Sequence, residues 1–391
     1  MSTTKQIYYL LLTFLAIIVA PYVGAYIKYQ GVFPKDYFDF PPLVAAEKSP
    51  FNIYIFIALA VFFFLIILLY VFPWIYGFKK VPVKPSPKIE NKSMPSWFWL
   101  GLLMWGGTLA VLWLKLSGPN FILHWAAVPL FWGFTLVLDG IVYYRTGGKS
   151  IIRLHPQELM AVGVASIGGW LIFEYLNFFV DETWVYPFGN ILPDSEFTMY
   201  AVIGSSGLFP MAFEWYSLFN TFDKLKHRYS NGPKIVFSPS TKYIFLFFFV
   251  VILGISSFFP NLFFGMLWIA PLFMFACILG VVHIWSPFTP LRKGDWTPIM
   301  LLGLTYFVQG FLCEFWNYFS GYHENGTIIT HNPDYWTYSI PYVNVLHVFE
   351  MPLLGLQGYI PFGVYAGIWW IVFAYLLRIP NRFNETEYHS I

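Results

Sequence analysis

The sequence predicts an all-α polytopic membrane protein, a bundle of about ten membrane-spanning helices. Of its 391 residues, 58% are hydrophobic and only 11% are charged, so the chain has too few polar side chains to cover a water-soluble surface. Apolar segments long enough to cross a bilayer, roughly 20 residues, recur along almost the whole sequence. Because no stretch remains for a sizeable soluble domain, we expect any chemistry to take place in or beside the membrane.

Ten segments have the length and hydropathy of a span. The last one contains Pro352, Gly355 and Pro361, and we expect a broken or kinked helix there because proline interrupts helical hydrogen bonding. The predicted spans are 7–27, 52–77, 97–116, 121–144, 159–180, 197–221, 243–259, 261–285, 298–320 and 344–377.

The basic residues predict how the bundle is oriented. They concentrate in every second loop, which the positive-inside rule places in the cytoplasm together with both termini. Loops 181–196 and 321–342 then face outward. The net charge of +2 is small, so we expect no nucleic-acid partner. The residues that set this orientation are Lys79, Lys80, Lys84, Lys88, Lys92, Arg145, Lys149, Arg153, Lys224, Lys226, Arg228, Lys234, Arg292, Lys293, Arg378 and Arg382.

Two parts of the chain resemble each other. The segment 173–177 (Phe-Glu-Tyr-Leu-Asn) matches 313–317 (Cys-Glu-Phe-Trp-Asn), and the triplet 184–186 (Trp-Val-Tyr) matches 336–338 (Trp-Thr-Tyr). We predict two tandem four-helix repeats, with a site at their interface. The predicted divisions are an N-terminal two-helix addition with its loop, 1–96, and the repeats 97–242 and 243–391. Further matches join Pro119-Asn120 to Pro260-Asn261, Gly204 to Gly355, and Pro210 to Pro361.

Three glutamates are the candidate catalytic residues. An unpaired charge inside a span costs on the order of 2.5–3.5 kcal/mol on insertion scales, so such acids usually face the bundle interior or a wet cavity. Glu174 and Glu314 occupy equivalent places, and each is followed three residues later by an asparagine on the same helical face, Asn177 or Asn317. We expect these asparagines to orient the carboxylates. Glu350 begins the last segment from the same side, so the three acids are predicted to converge.

Other acids within the spans are given no part in the site. Asp139 and Glu214 lie toward the cytoplasmic ends of their spans, and Asp139 has no acidic counterpart in the second repeat. An alternative for the two Glu-x-x-Asn patterns is that they are hydrogen-bonding links between helices, related by duplication and nothing more.

The aromatic residues of the two Trp-x-Tyr triplets are the candidate substrate-binding residues. Tryptophan and tyrosine gather at bilayer interfaces in general, but here they recur after each Glu-x-x-Asn pattern. Aromatic faces beside acids suit a sugar ring or a carbocation. The predicted binding residues are Asn177, Asn317, Trp184, Tyr186, Trp336, Tyr338 and His347.

One further pair of residues is a weak indication of a metal site. His347 and Glu350 are three residues apart, as in the ligand pairs of carboxylate-bridged metal bundles. No second Glu-x-x-His pair stands at the matching position of the first repeat. We therefore expect neither a metal nor another cofactor.

The second repeat resembles the membrane-embedded lycopene cyclase and carotenoid-modifying group. The resemblance follows Glu314-Phe315-Trp316-Asn317, Trp336-Thr337-Tyr338, Pro341 and Phe349-Glu350-Met351-Pro352. It extends as a weak pattern over about two-thirds of the chain and implies a related helical fold. The paired acids after a proline that are typical of those cyclases are replaced here by the single Glu350 before Pro352.

The sequence leads to one functional prediction and two alternatives. Two carboxyl groups in environments of different polarity can act as acid and base or nucleophile, as in glycoside hydrolases. We predict a membrane-embedded glycoside hydrolase that acts on a glycolipid from the outer face. The first alternative is a lycopene-cyclase-like enzyme that modifies a carotenoid or isoprenoid. The second is a proton-coupled transporter, which the depth of Glu214 favours. The sequence indicates no oligomeric state.

Overall fold

A computed structural model describes residues 2–82 and 92–381 of the chain. Within these ranges the protein is mostly helical, and eight helices are long and apolar enough to cross a membrane. The helical class and a multi-pass membrane character are thereby confirmed. Lys84, Lys88 and Arg382, which contributed to the predicted orientation, lie outside the described ranges.

Fifteen α-helices and six short strands make up the described chain. The helices are α1 (Thr3–Lys28), α2 (Ile53–Val71), α3 (Ser96–Trp113), α4 (Asn120–His124), α5 (Ala127–Arg145), α6 (Ile151–Leu154), α7 (Pro156–Phe178), α8 (Asp194–Gly204), α9 (Leu208–Asn220), α10 (Asp223–Lys226), α11 (Pro239–Phe258), α12 (Pro260–Phe263), α13 (Met266–Val281), α14 (Thr297–Ser320) and α15 (Tyr359–Leu377). The strands are β1 (Trp184–Val185), β2 (Tyr322–Glu324), β3 (Thr327–Ile329), β4 (Thr337–Tyr338), β5 (His347–Val348) and β6 (Met351–Pro352).

Two of the ten predicted spans differ from the rest in the structure. The predicted span 261–285 corresponds to α13, which has only 16 residues. The predicted span 197–221 is divided into α8 and α9 by a 3-10 turn at Ser205–Gly207. The eight helices of full length are α1, α2, α3, α5, α7, α11, α14 and the continuous segment Leu353–Leu377.

The break between α8 and α9 is held open by a serine of α7. The hydroxyl of Ser166 donates to the carbonyl oxygen of Ser205 at 2.5 Å and accepts from the backbone N–H of Phe209 at 3.1 Å. Pro210 lacks the N–H that a continuous helix would need at that turn. A side chain from the neighbouring helix thus binds the backbone groups that the break frees, as irregular backbone within a membrane requires.

The last predicted span is also interrupted, as its prolines predict. Strands β5 and β6 pair with each other, and a 3-10 turn at Leu353–Gly358 precedes the regular helix α15. Both interrupted segments, 204–208 and 351–358, supply residues to the wall of one cavity.

A short antiparallel sheet joins the two loops that the sequence predicts to face outward. Strand β1 pairs with β4, with Trp184 opposite Tyr338 and Val185 opposite Thr337. The β2–β3 hairpin, within the second loop, pairs only with itself. The two Trp-x-Tyr triplets, distant in sequence, are therefore neighbours.

The N-terminal part of the chain also bridges these loops. The backbone N–H of Tyr186 donates to the carbonyl oxygen of Pro42 at 2.8 Å, and Asn52 and Ser49 exchange backbone hydrogen bonds with Tyr342. Lys48 donates to the backbone carbonyl oxygens of Val180 and Asp181, just beyond the end of α7. The segment 40–52 is therefore an integral part of this end of the bundle.

Contacts near the other end bring the start and finish of the described chain together. Gln6 donates to the carbonyl oxygen of Val282 at 2.7 Å and accepts from the hydroxyl of Tyr375 at 2.5 Å. Val282 follows α13 directly, and Tyr375 is near the end of α15. These contacts place both ends of the described chain on the side opposite the β1–β4 sheet.

Labelling of single cysteines tests which side faces the cytoplasm. With the predicted orientation, a membrane-impermeant thiol reagent applied to intact cells should modify cysteine at His331, in an exposed part of the second loop. It should leave cysteine at the exposed Lys234 unmodified until the membrane is opened. The reverse labelling pattern would overturn the predicted orientation.

Candidate functional site

Glu174 is bound by the aromatic side chains of its own half of the chain. It lies in the last turns of α7, is 4% exposed, and accepts hydrogen bonds from Nε1 of Trp184 at 3.2 Å and from the hydroxyl of Tyr186 at 2.5 Å. Trp184 begins β1, and Tyr186 directly follows that strand. The carboxyl group thereby fixes the edges of the two rings and leaves their faces free to pack or bind.

Glu314 has the same environment in the other half. It lies on α14 with no exposed surface, and its Oε1 accepts from Nε1 of Trp336 at 3.2 Å and from the hydroxyl of Tyr338 at 2.7 Å. A third donor, the hydroxyl of Tyr359, lies at 2.5 Å. This approach requires Gly310, because a Cβ there would stand 2.5 Å from the ring of Tyr359.

The two asparagines have a different role from the predicted one. Asn177 donates to the carbonyl oxygen of Trp184 at 2.9 Å and accepts from the backbone N–H of Thr183 at 2.8 Å. Asn317 likewise donates to the carbonyl oxygen of Trp336 at 2.7 Å and accepts from the backbone N–H of Trp336 at 3.1 Å. Both amides therefore bind the backbone next to β1 and β4 and do not orient the carboxylates. Each asparagine lies about one helical turn beyond its glutamate.

An aromatic cavity lies against the β1–β4 sheet. Its volume is about 120 Å³, many times the roughly 10–15 Å³ that one water needs. All four aromatic residues of the Trp-x-Tyr triplets line it. The rings of its wall are those of Trp170, Trp184, Trp268, Trp336, Tyr186, Tyr200, Tyr306, Tyr338, Tyr359, Phe131, Phe197 and Phe362.

The glutamates stand behind this wall and do not form part of it. Glu174 and Glu314 are absent from the residues that line the cavity, whereas their hydrogen-bond donors line it. The structure therefore brings the predicted substrate-binding aromatics together around one space. The two predicted catalytic acids, Glu174 and Glu314, lie behind these aromatic rings and do not line the cavity.

The acid that does line the aromatic cavity is Asp334. It is the only carboxyl group among the described residues of the wall, and its Oδ2 accepts from the hydroxyl of Tyr200 at 3.0 Å. Its backbone N–H donates to Oδ1 of Asn332 at 3.1 Å, which fixes the loop at this point. Burial raises the pKa of Asp334 to about 7, and the hydrogen bond from Tyr200 partly opposes this increase. A group of this kind can hold a proton near neutral pH and release it to a ligand.

Glu350 and His347 do not reach the aromatic cavity. Oε1 of Glu350 contacts Nε2 of His323 at 2.9 Å and accepts from the hydroxyl of Tyr335 at 2.5 Å. The ring of His323 also stacks on Tyr318, with centroids 4.1 Å apart. His347 is exposed on β5. These contacts fasten the β2–β3 hairpin to the turn before β6. Glu350 is still close enough to Glu314 to interact with it electrostatically, but it does not line the aromatic cavity.

Asp139 and Glu214 form a second pair of buried acids. Both are fully buried, and their carboxyl groups are close enough to interact electrostatically, although neither carboxylate oxygen of Glu214 has a hydrogen-bond partner among the described residues. Asp139 accepts from Nε1 of Trp97 and from the hydroxyl of Ser150, each at 2.8 Å. Neither acid lines the aromatic cavity. Among residues 2–82 and 92–381, no group of three or more metal-ligating side chains could hold a metal ion.

A longer form of the repeated motif would have pointed to Asp334. The segment Glu182-Thr183-Trp184-Val185-Tyr186 aligns with 334–338, Asp-Tyr-Trp-Thr-Tyr, so each Trp-x-Tyr triplet follows an acid by two residues. Tyr200, Tyr359 and Trp268 carried no comparable signal, because single aromatics are common in every span of this chain.

The fold and this site define a helical, membrane-type protein in which two buried glutamates bind aromatic residues that line one cavity. No family model, curated protein or solved structure matches the chain.

Proposed function

We propose that this protein is a membrane-embedded enzyme that protonates a carbon–carbon double bond of an isoprenoid-like chain. The observation that supports this most is the composition of the cavity: aromatic rings on all sides and one carboxyl group, Asp334. An apolar wall suits a hydrocarbon chain. Aromatic faces stabilise a neighbouring cation through the negative face of the ring.

The reaction needs only one proton source. The Asp334 carboxyl group gives its proton to one alkene carbon, whose π electrons form the new C–H bond, and the adjacent carbon becomes a cation. A second double bond of the same chain attacks this cation and closes a ring. Loss of a proton to the Asp334 carboxylate restores an alkene, so the product is an isomer of the substrate and no oxidant is consumed.

Glu174 and Glu314 support the cavity in this proposal. A carboxylate that accepts from the indole N–H or the phenol hydroxyl polarises that ring, which increases the negative charge on its face. Each glutamate also holds its two triplet rings at fixed angles. Both effects favour a cation in the cavity over the neutral substrate, which is how an enzyme accelerates a reaction.

A glycoside hydrolase, the function first predicted from the sequence, is the second candidate. The observation in its favour is that tryptophan rings stand beside the Asp334 carboxyl group, an arrangement that also suits a sugar. Hydrolysis of a glycosidic bond ordinarily uses two carboxyl groups that flank the bond, and the cavity wall has one among the described residues. We therefore rank the isoprenoid reaction first.

Binding of a coloured polyene tests the apolar cavity. In a Trp336→Phe variant we expect the affinity for a carotenoid-type polyene to fall about three- to tenfold, because a smaller ring without its N–H stacks less well. Binding is measured from the absorbance change of the polyene. The matched control is Trp99→Phe, which changes a tryptophan 59% exposed on the surface and should bind like the parent. Equal affinity in all three proteins would contradict the assignment of the cavity.

We further infer that 97–242 and 243–391 are tandem repeats, each crossing the membrane four times, after a two-helix addition. Supporting this are the equivalent hydrogen bonds of Glu174 and Glu314 and the reciprocal register of β1 and β4. With α13 and the pair α8–α9 counted as crossings, the total is about ten, the number expected from the apolar segments. In this proposal the aromatic cavity is near the outer face.

A further inference from the structure

The aromatic cavity is the first of three neighbouring cavities that share wall residues. The second shares Ala127, Tyr200 and Asp334 with the aromatic cavity. The third, here called the outer cavity, shares Leu112 and Asn332 with the second. The series therefore runs from the aromatic rings, past Asp334, to the space between the end of α3 and the β2–β3 hairpin.

The middle cavity, here called the neck, is a separate and much smaller space that shares wall residues with both of the others. The volume of the neck is about 20 Å³, whereas the volume of the aromatic cavity is about 120 Å³ and that of the outer cavity is about 230 Å³. Because about 20 Å³ is little more than the roughly 10–15 Å³ that one water needs, the neck excludes a bulky group. A ligand that occupies all three spaces would therefore have a thin apolar part inside and a larger part outside.

Among its described wall residues, the outer cavity contains one permanently cationic side chain, Lys115. Lys115 and His331 line it, and none of its described wall residues is acidic. The ammonium group of Lys115 donates to the carbonyl oxygen of Phe319 in the last turn of α14, and two of its three N–H donors remain for a ligand. Lys115 follows α3 by two residues, which places it where a span reaches the lipid headgroups.

We propose that the ligand is an isoprenoid lipid with a phosphate-bearing head. The head binds in the outer cavity between Lys115 and His331, the chain passes through the neck beside Asp334, and its far end enters the aromatic cavity. This inference rests on the proposed function for the chain and adds the head group, the direction of entry and the residues that select them. Phosphate is the favoured head because lysine binds it as a compact cation.

The test compares two lipids that differ only in the head, geranylgeranyl diphosphate and geranylgeraniol, bound to the purified protein in nanodiscs. The parent should bind the diphosphate more tightly than the alcohol. A Lys115→Gln variant should lose roughly tenfold in affinity for the diphosphate, the size expected for one hydrogen bond between charged groups, and should bind the alcohol as the parent does. His331→Gln should act in the same direction, and the matched control Lys35→Gln, in an exposed loop, should change neither affinity.

A second measurement tests the route without removing a charge. Leu116 lines the outer cavity and is 42% exposed, so a cysteine there should leave the fold intact. Attachment of a bulky maleimide should slow the association of both lipids at least tenfold, on the reasoning that closing an entry path acts on the on-rate. The parent treated with the same reagent corrects for reaction at the two native cysteines.

The outcomes separate this inference from the proposed function. If the alcohol binds and Trp336→Phe weakens it, but Lys115→Gln binds the diphosphate like Lys35→Gln, the head-group site is wrong and the aromatic cavity stands. If neither lipid nor a polyene binds the parent, the proposed function fails with it. Displacement of the diphosphate lipid by inorganic pyrophosphate at an equal concentration would indicate a site for a free anion and would overturn the lipid assignment.

Discussion

An Asp334→Asn variant should lose the proposed reaction almost entirely. Asparagine keeps the size of the side chain and can still accept from Tyr200, but it has no proton to give to an alkene. Removal of a general acid costs about 10²- to 10⁴-fold in rate, so we expect a loss of at least a hundredfold with little change in thermal stability. The rate is measured as conversion of an isoprenoid polyene by purified protein.

The matched control for this variant is Glu182→Gln. Glu182 occupies the equivalent place before the first Trp-x-Tyr triplet, and burial raises its pKa to about 7 as well, but it does not line the aromatic cavity. It should keep the activity of the parent. Equal losses in the two variants would show that both acids act on the fold, and full activity of Asp334→Asn would remove Asp334 from the mechanism.

The pH dependence of the parent follows from the same group. Because the pKa of Asp334 is raised to about 7, its protonated form is present below that pH and is lost as the pH rises through it. The rate should therefore be constant in mildly acid solution and fall about tenfold per pH unit above the pKa. A rate that rises with pH over this range would require a carboxylate base in place of a carboxylic acid.

The second large effect is expected on stability, from Glu314→Ala. The substitution leaves Trp336, Tyr338 and Tyr359 without their common acceptor. A buried donor without a partner costs about 1–3 kcal/mol, so the loss in unfolding free energy should be on the order of 3 kcal/mol or more. Thermal unfolding of the protein in detergent measures the change, with the exposed Glu324→Ala as the control.

Glu314→Gln distinguishes a supporting glutamate from a catalytic one. Glutamine keeps one acceptor oxygen, so most of the stability should return. If Glu314 supports the wall, the variant should keep most of its activity. If Glu314 is instead a catalytic acid, as the sequence pattern predicts, the variant should lose activity on the order of a hundredfold. An alanine variant as stable as the parent would show that the three hydrogen bonds contribute little.

The sequence was sufficient for the membrane character and for the association of the repeated residues. Hydropathy predicts long apolar helices because the bilayer imposes their length. Recurrence of Glu-x-x-Asn and Trp-x-Tyr predicted residues that the structure groups together, since each glutamate binds the tryptophan and tyrosine of its own half.

The sequence pattern could not predict which side chains line the cavity and which lie behind them. A helical position indicates that Glu174 faces inward, but only tertiary contacts determine whether its carboxyl group or the ring bound to it reaches the cavity. Likewise, the break after α8 depends on Ser166 of another helix. The position of Glu350 depends on the β2–β3 hairpin, whose His323 binds it. Such long-range contacts leave no local periodicity to read.

Deuterium incorporation tests the central claim most directly. The purified protein in nanodiscs is incubated in heavy water with an isoprenoid polyene, and the recovered lipid is examined by mass spectrometry. Protonation by Asp334, whose carboxyl proton exchanges with solvent, predicts a cyclised isomer that carries one carbon-bound deuterium, and predicts none of it from Asp334→Asn. Recovery of the polyene unchanged and free of deuterium, together with release of sugar from a glycolipid by the same preparation, would contradict the account and favour the glycoside hydrolase.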